Sequence, residues 1–471
     1  MSQLRGVPEG SPLRMLNPGG IAHAATSYAG NLRIKFAKLR SNGFIRNAGI
    51  ITSGSALGHI FTLAAGPLLT RIYGPEEFGA LGLFTSALSI MVVAVTLQYE
   101  ISIVIGRDEK EAAYLTFGSL LVTLPVSLLS GAVLWFLHHE SWLGYGSLPG
   151  FAPLLMILSM ACIGFFTSLR YWALREGQFS WIAQASIVQS GGRAILQTGL
   201  GLAGFHLSGL LVGETLGRGM GMSRILRGSW PVLWRNARQF RWRALMAALR
   251  RQKKFPLYSF PSSFLDALCL GLPLPLLVHM YGVSLGGQYS LVWKAITIPT
   301  VLIATSVADT FHNSLATCAR ETPERVALLF RNTSIGLLFA GLVPAFLLAL
   351  WGPVLFGWAF GARWVLAGSI AAIITPWYLA QFVASPLSRV VVVLSGQEVK
   401  LLWDVLCLIS LGGVFFAAQT MRLAPLQTIR LLSGVYTLLF VTYYLILRHI
   451  VASFDKARRV AIEPRPPLPE R

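Results

Sequence analysis

"PLLTRIYGPEEFG" (67–79) is rewritten 208 residues later as "PLLVHMYGVSLGG" (275–287). Six positions agree: Pro-Leu-Leu, then Tyr-Gly, then a Gly five residues past that pair's Gly. Leucine matches carry little weight in so apolar a chain. The Pro, Tyr-Gly and closing Gly matches carry more, because glycine and proline mark specific turns. One copy alone would be an ordinary turn. Two copies, each preceded and followed by a long apolar run, indicate an internal duplication.

Composition says what is duplicated. Of 471 residues, 54% are hydrophobic and 12% are charged, whereas a soluble domain carries about 25% charged residues. A helix needs roughly 20 apolar residues to cross about 30 Å of hydrocarbon. Twelve runs qualify, approximately 48–69, 79–103, 113–137, 151–171, 180–204, 206–222, 257–280, 285–309, 327–350, 367–391, 401–419 and 426–447. No alternating ten-residue strands occur, which argues against a β-barrel. The fold class expected is an all-α polytopic membrane protein of about twelve transmembrane helices. The repeat divides them into two six-helix lobes. Six spans is even, so both copies enter from the same side and are parallel repeats about an axis along the membrane normal.

Charge orients the chain. Lys and Arg number 39 against 19 Asp and Glu, a net charge of +20. In a soluble protein this would point to nucleic acid. In a membrane protein it points to loops that follow the positive-inside rule and meet anionic lipids, with no nucleic-acid partner. Residues 223–256 hold ten basic residues and no acidic ones, from Arg224 to Lys254. Arg33, Lys35, Lys38, Arg40 and Arg46 precede the first span, and Lys456, Arg458 and Arg459 follow the last. "HHESWLGYGSLPG" (138–150), on the other face, has no Lys or Arg. Both termini and the 223–256 linker are therefore expected in the cytoplasm. The expected divisions are a basic, disordered arm (1–44), an N-lobe (45–222), the linker (223–256), a C-lobe (257–450) and a tail (451–471). The arm lacks the apolar core of a signal peptide, and its "NLRIKFAKLR" (31–40) suits the membrane surface. Cys162, Cys269, Cys318 and Cys407 show no disulfide or metal spacing and read as apolar filler.

"RIYGPEEFGALGLFTSALSIMVVAVTLQYEISIVIGRDEKEAAYL" (71–115) resembles the bacterial polysaccharide flippases. The likeness lies in the Tyr-Gly-Pro-Glu-Glu-Phe-Gly turn, in Tyr99-Glu100 ending span two and in the charged "GRDEKEAA" turn. "PLYSFPSSFLDALCLGLPLPLLVHMYGVSLGGQYSL" (256–291) is similar to that family's seventh and eighth spans. The likeness runs loosely over residues 45–450, and it extends to the wider exporter superfamily that includes multidrug-and-toxin extruders. Many relatives carry a basic residue where Gln98 stands here. The resemblance implies translocation of polyprenyl-diphosphate-linked oligosaccharide to the outer leaflet of the bacterial inner membrane, for O-antigen, capsule or exopolysaccharide synthesis. It implies a proton or sodium ion as coupling partner, other polysaccharide-assembly proteins as neighbours, and no cofactor.

That task needs cations for the diphosphate, polar and aromatic faces for the sugars, and carboxylates for coupling. Intramembrane ionisable residues cost roughly 2.5–3.5 kcal/mol each on insertion scales, so each is a functional candidate. Arg193 lies mid-span in "QSGGRAILQ" with Gln189 and Gln197 at i−4 and i+4, a helix face too polar for lipid. It either lines a cavity or makes an interhelical bond. Glu214 and Arg218 are four apart and can pair with each other, although Glu214 is also a coupling candidate and Arg218 a cavity candidate. Gly213, Gly217 and Gly221 have the spacing of a close helix contact. Asp266, between Pro261 and Pro273, suits cation or proton binding. Lys294 either faces the cavity or snorkels outward. Glu100 and Asp309 stand at the inner ends of spans two and eight, as gate residues near Arg170 and Arg175 or as solvated helix ends.

Other classes fit poorly. The dipeptide Gly-Lys never occurs, so there is no P-loop; neither Asp-x-Asp nor His-Glu-x-x-His is present, and no metal site is expected. A membrane glycan polymerase or ligase would be expected to carry a sizeable basic external loop. A multidrug exporter of the same superfamily would favour acidic pockets for cationic drugs, whereas several central candidates here are basic.

Overall fold

The computed structural model describes residues 43–238, 240–395 and 398–462. The basic arm and its 31–40 segment lie outside the described residues. Two units divide the chain, Met1–Ser53 and Gly54–Arg471. The first contributes only the beginning of one helix, and all the other described helices belong to the second.

All twelve apolar runs lie in helices to within a few residues. In the N-lobe these are α1 (Gly43–Ile72), α2 (Pro75–Met91), α3 (Tyr99–Ile105), α4 (Glu109–His139), α5 (Ala152–Arg175), α6 (Phe179–Leu202) and α7 (His206–Gly219). The linker forms α8 (Met222–Arg238) and α9 (Trp242–Arg251). The C-lobe holds α10 (Phe260–Gly271), α11 (Pro273–Tyr281), α12 (Val283–Glu321), α13 (Val326–Phe360), α14 (Val365–Leu387), α15 (Glu398–Thr420) and α16 (Pro425–Ile462). Eight of the segments are long and apolar enough to span a bilayer by length and composition alone. The sixth run falls short because α7 has only 14 residues, and α6 carries Gln184, Gln189, Arg193 and Gln197. The outer surface is apolar: Trp358, Leu202, Leu402 and Phe416 are each at least 70% exposed, as bilayer-facing side chains must be. The chain is an all-helical polytopic membrane protein.

The second run is broken. Leu97 (φ 50°) and Gln98 (φ 64°) are left-handed and separate α2 from α3. Glu100, just past that break, is buried rather than solvated and accepts a hydrogen bond from Thr96 Oγ1. Arg175 does not reach it. Its Nη1 donates to the carbonyls of Ile103, Val104 and Gly106 and caps the end of α3. The seventh run is also in two pieces, α10 and α11, meeting at Pro273.

The repeated sentence builds the junction between the lobes. Tyr73 donates its hydroxyl to the Gln197 carbonyl of α6, 2.7 Å away. Tyr281 donates to the Leu423 carbonyl just beyond α15, at 2.9 Å. Tyr281 also meets Thr428 Oγ1 of α16, so each tyrosine ties the start of its lobe to a later part of the same lobe, Tyr73 to the middle of α6 and Tyr281 to the turn between α15 and α16. The glycines act across the lobes. A Cβ on Gly79 would collide with the Val283 carbonyl, and one on Gly287 would collide with the Pro75 carbonyl. Pro75 and Val283 are themselves equivalent positions, so α2 and α12 make one reciprocal, two-fold contact at backbone distance.

The two Tyr-Gly turns are not identical. Gly282 has φ 88°, which favours glycine. Gly74 is extended at φ −85°, ψ 174°, as expected of a residue before proline. Pro75 then starts α2, and Glu77 Oε2 accepts from the Gly74 N–H at 2.7 Å.

Linker helices α8 and α9 are strongly amphipathic and pack on the N-lobe. Arg235 reaches Glu109 (2.8 Å) and Arg251 reaches Glu111 (2.9 Å), so the "GRDEKEAA" turn is the acidic anchor for the basic linker. Trp230, Trp234 and Trp242 stay about half exposed, the placement of aromatic residues at a membrane interface.

Candidate functional site

The site is assembled by the close approach of α6 and α7. Cβ atoms built on Gly213 and Gly217 would lie 2.8 Å from Gln197 Cγ and 2.5 Å from Arg193 Cβ. Only small residues permit that spacing. It delivers Glu214, which lies between the two glycines in sequence, against the polar face of α6.

Glu214 Oε1 accepts from Arg218 Nη2 at 2.6 Å and from Arg193 Nη1 at 3.2 Å, and Oε2 accepts from Gln197 Nε2 at 3.2 Å. Its side chain is 6% exposed. Removing one partner from such a pair strands a buried charge and costs about 3–5 kcal/mol. The carboxylate therefore fixes the orientation of both guanidinium groups. Gln189 is a turn away, donating to the Arg218 carbonyl at 2.7 Å. It braces the cluster without lining the cavity.

The cavity between the lobes has a volume of about 280 Å3 and is lined by Arg193, Gln197, Glu214 and Arg218 from the N-lobe and by Trp293, Lys294 and Phe360 from the C-lobe. Lys294 comes from α12, and its Nζ lies 5.5 Å from the centre of the Phe78 ring of α2, an attraction across the lobe boundary. Among the described residues no carboxylate pairs with it. Among the described residues three cations surround one carboxylate, a surplus of two positive charges where the lobes meet.

The remaining candidates lie elsewhere. Lys400, which sequence reading did not single out, stands at the start of α15 with Nζ 3.0 Å from Asp266 Oδ1 and 2.5 Å from Asp404 Oδ1. The Lys400–Asp404 i,i+4 spacing was the available signal, but nothing in the sequence placed it opposite Asp266. Asp266 and Lys400 of this triad line a second chamber of about 690 Å3, together with Asp309, Gln381 and Arg389. Trp293 lines both spaces. Asp309 thus shares a chamber with Asp266, while Glu100 sits against Thr96 in the other lobe. Among the described residues no group of three His, Cys, Asp or Glu side chains could hold a metal ion.

No family model matches the chain, and no curated protein matches its sequence. Solved structures match over most of its length. An inward-facing conformation of a multidrug resistance MATE family transporter of the MOP superfamily has a TM-score of 0.65 at 16% identity, covering 86% of this chain and 96% of that one. An outward-facing conformation described in the same terms gives 0.53 at 15%, covering 87% and 96%. A MOP superfamily transporter from Pyrococcus furiosus, in which reverse polarity of the binding pocket suggests a different function, gives 0.54 at 15%, covering 89% and 96%. This chain has the twelve-helix, two-lobed fold of the MATE-like transporters of the MOP superfamily.

Proposed function

We propose that the protein is a flippase that carries polyprenyl-diphosphate-linked oligosaccharide from the inner to the outer leaflet of a bacterial inner membrane by alternating access. The observation that carries this reading is the surplus of two positive charges at the meeting of the lobes, with Arg193, Arg218 and Lys294 around Glu214. Desolvating a diphosphate requires fixed cations. Arginine supplies them with a planar fork that donates two hydrogen bonds to phosphate oxygens and stays charged at any relevant pH. A cationic drug would be repelled from the same place, which disfavours a multidrug exporter. An enzyme acting on glycans would need catalytic groups, and this cavity offers a single carboxylate already engaged by three donors.

The test is transport per folded molecule in reconstituted vesicles. The expected order is wild type, then Arg193→Lys, then Arg193→Ala, with Arg193→Glu weakest. Full per-molecule activity in Arg193→Ala, with only abundance or thermal stability reduced, would make Arg193 structural and remove the phosphate role. Coupling to a proton or sodium gradient falls to Asp266, because Glu214, the other carboxylate candidate, is already taken up by Arg193, Arg218 and Gln197. In the same assay Asp266→Asn is expected to remain folded and lose gradient-driven transport, and wild-type transport would exclude Asp266 from coupling.

A further inference from the structure

We propose that the 690 Å3 chamber is the saccharide site of the transported lipid, with the sugar attached to the diphosphate lying across Trp293 from the central cations; this rests on the lipid-diphosphate reading above. The chamber is within the roughly 300–1,000 Å3 range of small-molecule sites. Its lining combines the two surfaces a sugar presents partners for. Trp293, which is half-buried, supplies an aromatic face for C–H groups, and the buried Trp377 and Tyr378 form the wall behind it. The ring centres of Trp293 and Trp377 are 5.5 Å apart, and Trp377 is held in turn 4.6 Å from Tyr436, so the platform is packed from behind.

Hydroxyl groups need donors and acceptors, and the chamber has ones that folding does not use. Asp309, Gln381 and Arg389 line it, and none makes a side-chain hydrogen bond or ion pair with another described residue. Together they provide a carboxylate, an amide and a guanidinium, which accept from and donate to vicinal hydroxyls. A metal-ion site is a poorer fit, because the Asp266 and Asp404 carboxylates are engaged by Lys400. The position of Trp293 gives the arrangement its order. It lines the chamber, while the next residue, Lys294, belongs to the cation cluster. A ligand with phosphate on one side and sugar on the other would span this one-residue step.

The experiment measures binding by native mass spectrometry of the purified full chain. It compares bare undecaprenyl diphosphate with the lipid-linked saccharide fraction extracted from cells lacking this gene. Gln381→Ala and Arg389→Ala are expected to weaken the saccharide lipid by about 2- to 10-fold, the factor one lost hydrogen bond carries, and to leave undecaprenyl diphosphate unchanged. Ser385→Leu narrows the chamber without altering its charge and is expected to show the same selectivity. Arg193→Ala is expected to weaken both ligands. If the chamber variants affect both ligands equally, or neither, the saccharide site is overturned while the phosphate reading stands. If Arg193→Ala affects neither ligand while the chamber variants still discriminate, the phosphate reading fails and the sugar site survives.

Discussion

Arg193 and Glu214 are 21 residues apart, and two glycines decide whether they meet. Gly217 is the more exacting, since its Cβ position is 2.5 Å from Arg193 Cβ. Gly217→Val should push α7 away from α6 and separate Glu214 from Arg193. Overpacking of this kind costs about 1–3 kcal/mol, to be read as a lowered thermal unfolding midpoint. Gly191→Val, with nothing within 4 Å of its Cβ position, is the control and should change it far less; equal midpoints for the two variants would contradict the packing account. The sequence shows the polar face of α6 and the small-residue spacing of α7, because both are periodicities along one helix. It does not show which of the three polar side chains leaves the cavity. Gln189 does so because the Arg218 carbonyl lies within its reach, a fact of helix packing. Lys400 was missed for the same reason: its partner Asp266 is 134 residues away.

The element that explains the repeat is the crossing of α2 over α12. Read as sequence, Gly79 and Gly287 are openings of spans, and glycine there is ordinary punctuation. In the fold each sits against the carbonyl of the residue equivalent to the other's turn. The duplication is legible in the sequence because it preserved residue types. The contact is not, since reciprocal packing depends on how two lobes meet. Backbone opposes backbone at this crossing, so no side-chain rearrangement relieves an added methyl group. Gly287→Ala should therefore force the α2–α12 contact apart and raise the population of molecules open on that face. Spin labels at Glu76 and Ser284, both exposed beside the crossing, should report a longer distance in Gly287→Ala than in the wild type. An unchanged distance distribution would show that the crossing yields elsewhere and does not act as a gate.

For the whole molecule, the apolar runs and the two-lobed plan were legible because a bilayer demands long apolar segments and a duplicated chain repeats them. The breaks at Leu97–Gln98 and at Pro273 were less so. The first contains no glycine or proline to mark it, although Leu97 and Gln98 are both left-handed. The central claim concerns polarity: a fold that this chain shares with solved multidrug transporters here surrounds its lobe junction, among the described residues, with three cations and one carboxylate. The most direct measurement uses purified protein in vesicles, comparing flipping of a fluorescent undecaprenyl-diphosphate oligosaccharide with export of a cationic dye such as ethidium. The account predicts protein-dependent flipping of the anionic lipid, lost in Arg193→Glu, and no export of the dye. Dye export without lipid flipping, retained in Arg193→Glu, would contradict it.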